Sequence, residues 1–119
     1  MPKYVDGFVI PMPKRNLAAY KRMAHWGRKI WMKHGALQYF ECIGDNLKVL
    51  PGCGAGFLKG IRLKPGETVL FAFIIYKSRA HRDAVNAKVM KDPSMPMPKK
   101  MPFDMKRFMQ GGFKVIVEG

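Results

Sequence analysis

Hydrophobic and polar positions along this chain alternate between two periods, and the switches mark its elements. Residues 4–10, Tyr-Val-Asp-Gly-Phe-Val-Ile, are mostly β-branched or aromatic and predict a strand. Pro11 and Pro13 are expected to end it and to introduce a helix. From about Arg15 to Lys33 the period turns helical. Leu17, Tyr20, Ala24, Gly27 and Trp31 recur at steps of three and four, so they share a face, and Met23, Trp26 and Ile30 widen it. Gly27 costs about 1 kcal/mol relative to alanine inside a helix. A close approach of the helix to a sheet would account for it. Gly35, after His34, fits the end of this helix.

A second strand is expected over residues 36–43, with Leu37, Tyr39, Glu41 and Ile43 on one side. Residues 44–66 are glycine-rich and irregular. Residues 67–77 are apolar on both faces, which predicts a central strand covered on both sides. Ser78 is a good N-cap for a second helix from about Arg79 to Lys91, and Pro93 ends it. Residues 92–110 are rich in Met and Pro, with a short helical turn expected at 104–109, and residues 112–118 read as a last strand. The order is β-α-β-β-α-β, an α+β arrangement of the ferredoxin-like type. It predicts a four-stranded antiparallel or mixed sheet with two helices on one face and the first and third strands in the middle. Two helices cover only one face of such a sheet, so a second copy is expected on the other, making a homodimer.

Composition narrows the class. The 119 residues fit one domain over 1–119. No apolar run reaches the ~20 residues of a membrane helix, and the first residues lack a signal peptide's apolar stretch, so a cytoplasmic protein with no membrane partner is expected. Cys42 and Cys53 are expected to be free thiols, with Cys42 packed in its strand. Two cysteines and three scattered histidines do not make a zinc site, and neither metal nor cofactor is expected. The net charge of +14 attracts polyanions whatever their role. No acid stands between Asp6 and Glu41, whereas Lys14, Arg15, Lys21, Arg22, Arg28, Lys29 and Lys33 do.

Six strings carry a resemblance: Tyr4-Val5-Asp6-Gly7-Phe8-Val9, His34-Gly35-Ala36-Leu37, Tyr76-Lys77-Ser78-Arg79-Ala80-His81-Arg82-Asp83, Asn86-Ala87-Lys88-Val89-Met90, Met101-Pro102-Phe103-Asp104 and Gly111-Gly112-Phe113-Lys114. In order and spacing the chain resembles the YbaA-like family of small bacterial proteins. The resemblance implies a dimeric α/β barrel in which two ferredoxin-like sheets face each other, and it implies no established activity.

The candidate chemistry is scattered over the predicted elements. Asp6 lies in a strand expected to be central, where a carboxylate is costly to bury unless paired. It is either a proton acceptor or ligand anchor, or one half of a structural ion pair. Glu41 could share its sheet face or be a solvated edge charge. His34 suits the negative end of the first helix, or acts as a general base at the mouth of a cleft. Asp6 and His34 are therefore the candidate catalytic pair. Tyr76, Arg79, His81, Arg82 and Asp83 crowd a strand-to-helix junction, where free amides and guanidinium forks suit an anion. Asp104 and Arg107 could close over that site or pin their loop. Gly52-Cys53-Gly54-Ala55-Gly56 lacks the sixth-position glycine of a dinucleotide loop. Met95, Met97, Met101, Met105 and Met109 read as fillers under a loop rather than a copper site. The functional expectation is a cleft between sheet and helices for a small anionic or carbonyl-containing molecule. The alternative is nucleic-acid (RNA) binding through the basic first helix, where Trp26 and Trp31 interleave with cations.

Overall fold

A computed structural model describes residues 1–95 and 98–119. Met97 therefore lies outside the described residues. Four strands form one sheet: β1 (Tyr4–Pro13), β2 (Gln38–Ile43), β3 (Glu67–Tyr76) and β4 (Met109–Lys114), in the order β2-β3-β1-β4 with every pair antiparallel. The helices are α1 (Leu17–Lys33), a single turn α2 (Phe57–Gly60) and α3 (Arg79–Lys91). Among the described residues no helix is long and apolar enough to cross a membrane.

Alternation decides what each face carries. On β1, Asp6, Phe8, Ile10 and Met12 point toward the helices; on β3, Leu70, Ala72, Ile74 and Tyr76 do the same. Two apolar clusters fill this side. One joins Ile30, Ile74, Tyr76, Val85 and Val89 and ties both helices to the sheet. The other joins Ile10, Met12, Tyr20, Leu70 and Phe103 beneath the start of α1. The opposite face carries Val5, Gly7 and Val9 of β1, Phe71 and Phe73 of β3, Phe40 of β2 and Phe113 of β4 in paired rows. Phe40 stacks on Phe73 at 4.9 Å between ring centroids. Phe71 and Phe113 stay 47% and 60% exposed, far too much for core phenylalanines.

Two strands and two side chains depart from expectation. β1 runs on through Pro11 to Pro13. β4 pairs with β1 only as far as Val9↔Met109, so the prolines, which donate no amide, sit where only β3 flanks them. β4 begins at Met109 rather than 112 and takes up part of the expected helical turn, because pairing with β1 supplies the hydrogen bonds. Trp26 is 45% exposed, outside the buried stripe of Tyr20, Gly27 and Ile30. Cys42 alternates onto the bare face and is exposed, not packed. The helix glycine has its explanation: a Cβ at Gly27 would stand 3.1 Å from the Tyr39 hydroxyl. Ser78 caps α3 by accepting from the His81 amide at 3.1 Å.

Candidate functional site

A cavity of about 810 Å³ lies between the sheet, α1 and α3. Its walls are mostly apolar: Phe8, Ile10 and Ile74 from the sheet, Met23, Ala24, Gly27 and Trp31 from α1, Met90 from α3. The connection from α3 to β4 roofs it with Met95, Met101, Phe103, Met105 and Phe108. Methionine adapts to irregular space, which suits its use here under a connecting segment.

The roof is tied down at three places. Asp92, its side chain 2% exposed, accepts from the Ser94 amide (2.9 Å) and hydroxyl (2.6 Å), from Lys33 Nζ (3.2 Å), and meets His34 Nε2 at 2.7 Å. The Ser94 bonds, then the His34 contact, hold its carboxyl well below the usual carboxylate range. In the middle, Asn16 Nδ2 donates to the Pro102 carbonyl at 2.8 Å. At the far end Arg107 donates to Glu67 Oε2 at 2.6 Å and to the Arg62 carbonyl at 3.0 Å. The Arg107 bond lowers the Glu67 pKa.

One end of the cavity carries a polar cluster around Asp6. β1 presents this carboxylate to the helix side, 8% exposed as a residue. From α3, Arg82 and Asn86 stand one helical turn apart and reach down to it. Asn86 Oδ1 accepts from Trp31 Nε1 at 3.0 Å and from the Tyr76 hydroxyl at 3.3 Å. Both partners are donors, so the amide is oriented by chemistry, and its Nδ2 faces Asp6 Oδ2 at 3.4 Å. Arg82 Nη1 lies 3.8 Å from Asp6 Oδ1, and Nη2 donates to the Tyr4 hydroxyl at 3.2 Å while the guanidinium stacks over that ring. Its Nε pairs by charge with Asp83 at 3.3 Å, but among the described residues this buried nitrogen makes no hydrogen bond. Opposite Asp6 on β4 is Gly112. A Cβ there would stand 2.5 Å from the Tyr4 hydroxyl and 2.9 Å from Arg82 Nη2, so the missing side chain makes room for this arrangement. Burial, then the charge of Asp6, pushes the Tyr76 phenol above its ordinary pKa, so it stays a donor.

The other end is built on Glu41. Tyr20 donates to Oε1 at 2.5 Å and Tyr39 to Oε2 at 2.8 Å. Burial, followed by the Glu41 charge, raises both phenols' pKa. The cavity therefore holds two carboxylates, Asp6 and Glu41, at separate ends of an apolar chamber, each fixed by donors already in place. Such groups can orient a ligand and accept or return a proton.

Of the acid–base and anion-binding candidates singled out from sequence, Asp6, Glu41 and Arg82 line the cavity, and Tyr76 braces it through Asn86. The others lie elsewhere. His34 is not beside Asp6 at a cleft mouth: its ring is spent on Asp92 at the end of α1. Arg79 is exposed and does not line the cavity. His81 Nδ1 accepts the Lys77 amide at 2.9 Å, a local turn bond, and its own amide is taken by Ser78, so the junction is closed to an anion there. Asp104 accepts the Lys106 amide at 2.9 Å within its turn. Arg107 pins the connection rather than closing on Arg79 and Arg82. Sequence reading missed the part played by Asn86 and Tyr20. Arg82, Asn86 and Met90 recur at four-residue steps beside the buried Val85 and Val89, which is the signal that places them on the inner flank of α3. Among the described residues no three His, Cys, Asp or Glu side chains converge as metal ligands would.

Residues 3–105 match the model of DUF1428, a protein family of unknown function. The chain belongs to the DUF1428 family. It is 38% identical over 117 residues to the uncharacterized protein YbaA of Escherichia coli K12, covering 98% of each chain, and equally similar to YbaA of Shigella flexneri. The match with YbaA thus spans nearly the full length of both chains. Among solved structures, a dimeric ferredoxin-like protein from an uncultured marine organism matches all of this DUF1428 chain with a TM-score of 0.57 at 15% identity. At that identity the likeness shows the ferredoxin-like fold alone.

Proposed function

We propose that this protein is a cytoplasmic homodimer that binds a small, largely apolar molecule between its sheet and helices, with a carbonyl or other polar group of the ligand met by Asp6, Asn86 and Arg82. The observation that carries this reading is the roofed cavity of about 810 Å³ with a nearly buried carboxylate at one end. Its volume lies within the ~300–1,000 Å³ usual for ligand sites, and it combines apolar walls with few converging polar groups. The homodimer is supported by the bare phenylalanine face and by the dimeric description of the structural neighbour. Two exposed free thiols suit a reducing compartment. The test is native mass spectrometry of protein purified without denaturation. The expected result is a dimer carrying a small molecule that is lost on Ala72→Phe, which fills the floor. A chain with no bound mass, and no thermal shift with any apolar carbonyl compound, would refute the reading.

A second reading is nucleic-acid binding. Its support is the pair Lys21-Arg22 and Arg28-Lys29, seven residues and about 10.5 Å apart along α1, with Lys14-Arg15 in the turn just before it, all exposed. RNA affinity falling steeply with salt is its expected sign, and no binding at ~0.15 M salt would dismiss it.

A further inference from the structure

Beside the main cavity, at the edge where α1 meets β2, lies a second hollow of about 310 Å³. Lys21, His25 and Arg28 line it from α1, one above another at steps of four and three. Ala24, Tyr39 and Glu41 line both hollows, so the two adjoin along that edge. Among the described residues none of Lys21, His25 and Arg28 takes part in an ion pair or a side-chain hydrogen bond. The carboxylate that lines this hollow with them, Glu41, already has both oxygens held by Tyr20 and Tyr39.

The inner end is unlike this. There Arg82 is shared among Tyr4, Asp6 and Asp83, and an anion entering would meet the Asp6 carboxylate. The chamber thus sets one shared cation beside a carboxylate at its Asp6 end, and two unpaired cations, Lys21 and Arg28, beside one carboxylate, Glu41, at its α1–β2 rim. Asp6 and Tyr39 both pair with Ile74, and Glu41 is two residues farther along β2, so the ends are roughly 12 Å apart.

We propose that the ligand is an amphipathic carboxylate, its apolar body in the main cavity and its negative head at the rim formed by Lys21, His25 and Arg28. This rests on the small-molecule reading above and fixes the class and direction of the ligand.

The test is calorimetric titration with decanoate, decanol and decylammonium, each below its aggregation concentration and at one ionic strength. Decanoate is expected to bind roughly tenfold tighter than decanol, and decylammonium weakest. Lys21→Glu with Arg28→Glu should bring decanoate down to the level of decanol or below it and leave decanol unchanged. Lys14→Glu with Arg15→Glu makes the same change in net charge away from the rim and should preserve most of the advantage. Equal binding of decanoate and decanol to the native chain, or an advantage that survives at the rim variant, overturns the inference while decanol binding keeps the cavity reading. Failure of all three probes to bind overturns both.

Discussion

The two faces of the sheet are made from the same strands yet solve opposite problems. On the helix side, α1, α3 and the roof enclose apolar residues, and the polar groups among them have named partners: Asp6 with Asn86 and Arg82, Tyr20 and Tyr39 with Glu41. On the other side Phe40, Phe71, Phe73 and Phe113 form an apolar patch, and Phe40, Phe71 and Phe113 are 42%, 47% and 60% exposed. Large exposed apolar patches mark binding surfaces. The contrast is between a face that holds space open with expensive polar groups and one that leaves phenylalanine rings exposed. The first suits a ligand, the second another sheet.

The largest expected effect lies on the bare face. Phe71→Lys removes a side chain worth ~1.5–3 kcal/mol of burial. In a two-fold dimer it does so twice, so the dimer constant should weaken roughly 10²–10⁴-fold by sedimentation equilibrium. The monomer should keep its fold, because that ring is already half exposed. An unchanged dimer constant would mean that this face does not carry the contact.

On the covered face, Arg82→Met leaves the Asp6 carboxylate without its cation. A loss of about 3 kcal/mol is expected in urea denaturation, toward the lower limit for a broken buried pair because the native separation is 3.8 Å. Adding Asp6→Asn should restore part of it. The dimer constant should not move.

Acid should act on the covered face through the ties of the roof. Asp92 and Glu67 both have folded-state pKa values below their unfolded values of about 3.8 and 4.5. Their stabilisation is complete above those values and is lost as pH falls below them toward the folded pKa. The urea midpoint of the native chain should therefore fall faster than that of Asp92→Asn between pH 4 and pH 2, and parallel curves would contradict the assignment. The smallest effect is expected from Ser78→Ala, which removes the cap of α3 for about 1 kcal/mol and leaves association untouched.

How far the sequence discloses this can be judged residue by residue. Strand and helix order was legible because the periods differ sharply: β3 is apolar throughout, α1 repeats at three and four, and Ser78 and Pro93 bracket α3. The ends of β1 and β4 were not, since Pro11 reads as a terminator until the absence of β4 beside it is known. Asp6 stood out as a carboxylate in a central strand. Asn86 did not, because a helix asparagine declares nothing until Trp31 and Tyr76 converge on it from distant parts of the chain. His34 and Arg107 drew notice by residue type, yet their partners, Asp92 and Glu67, lie 58 and 40 positions away and no local pattern joins them.

The most direct test of the division between the faces is a crystal structure of the protein purified gently from its native host. The account predicts unexplained density between Asp6 and the α1–β2 rim, with Phe40, Phe71, Phe73 and Phe113 packed across a two-fold axis against the same residues of a second copy. A chamber collapsed onto its own side chains, together with a phenylalanine face open to solvent, would contradict it.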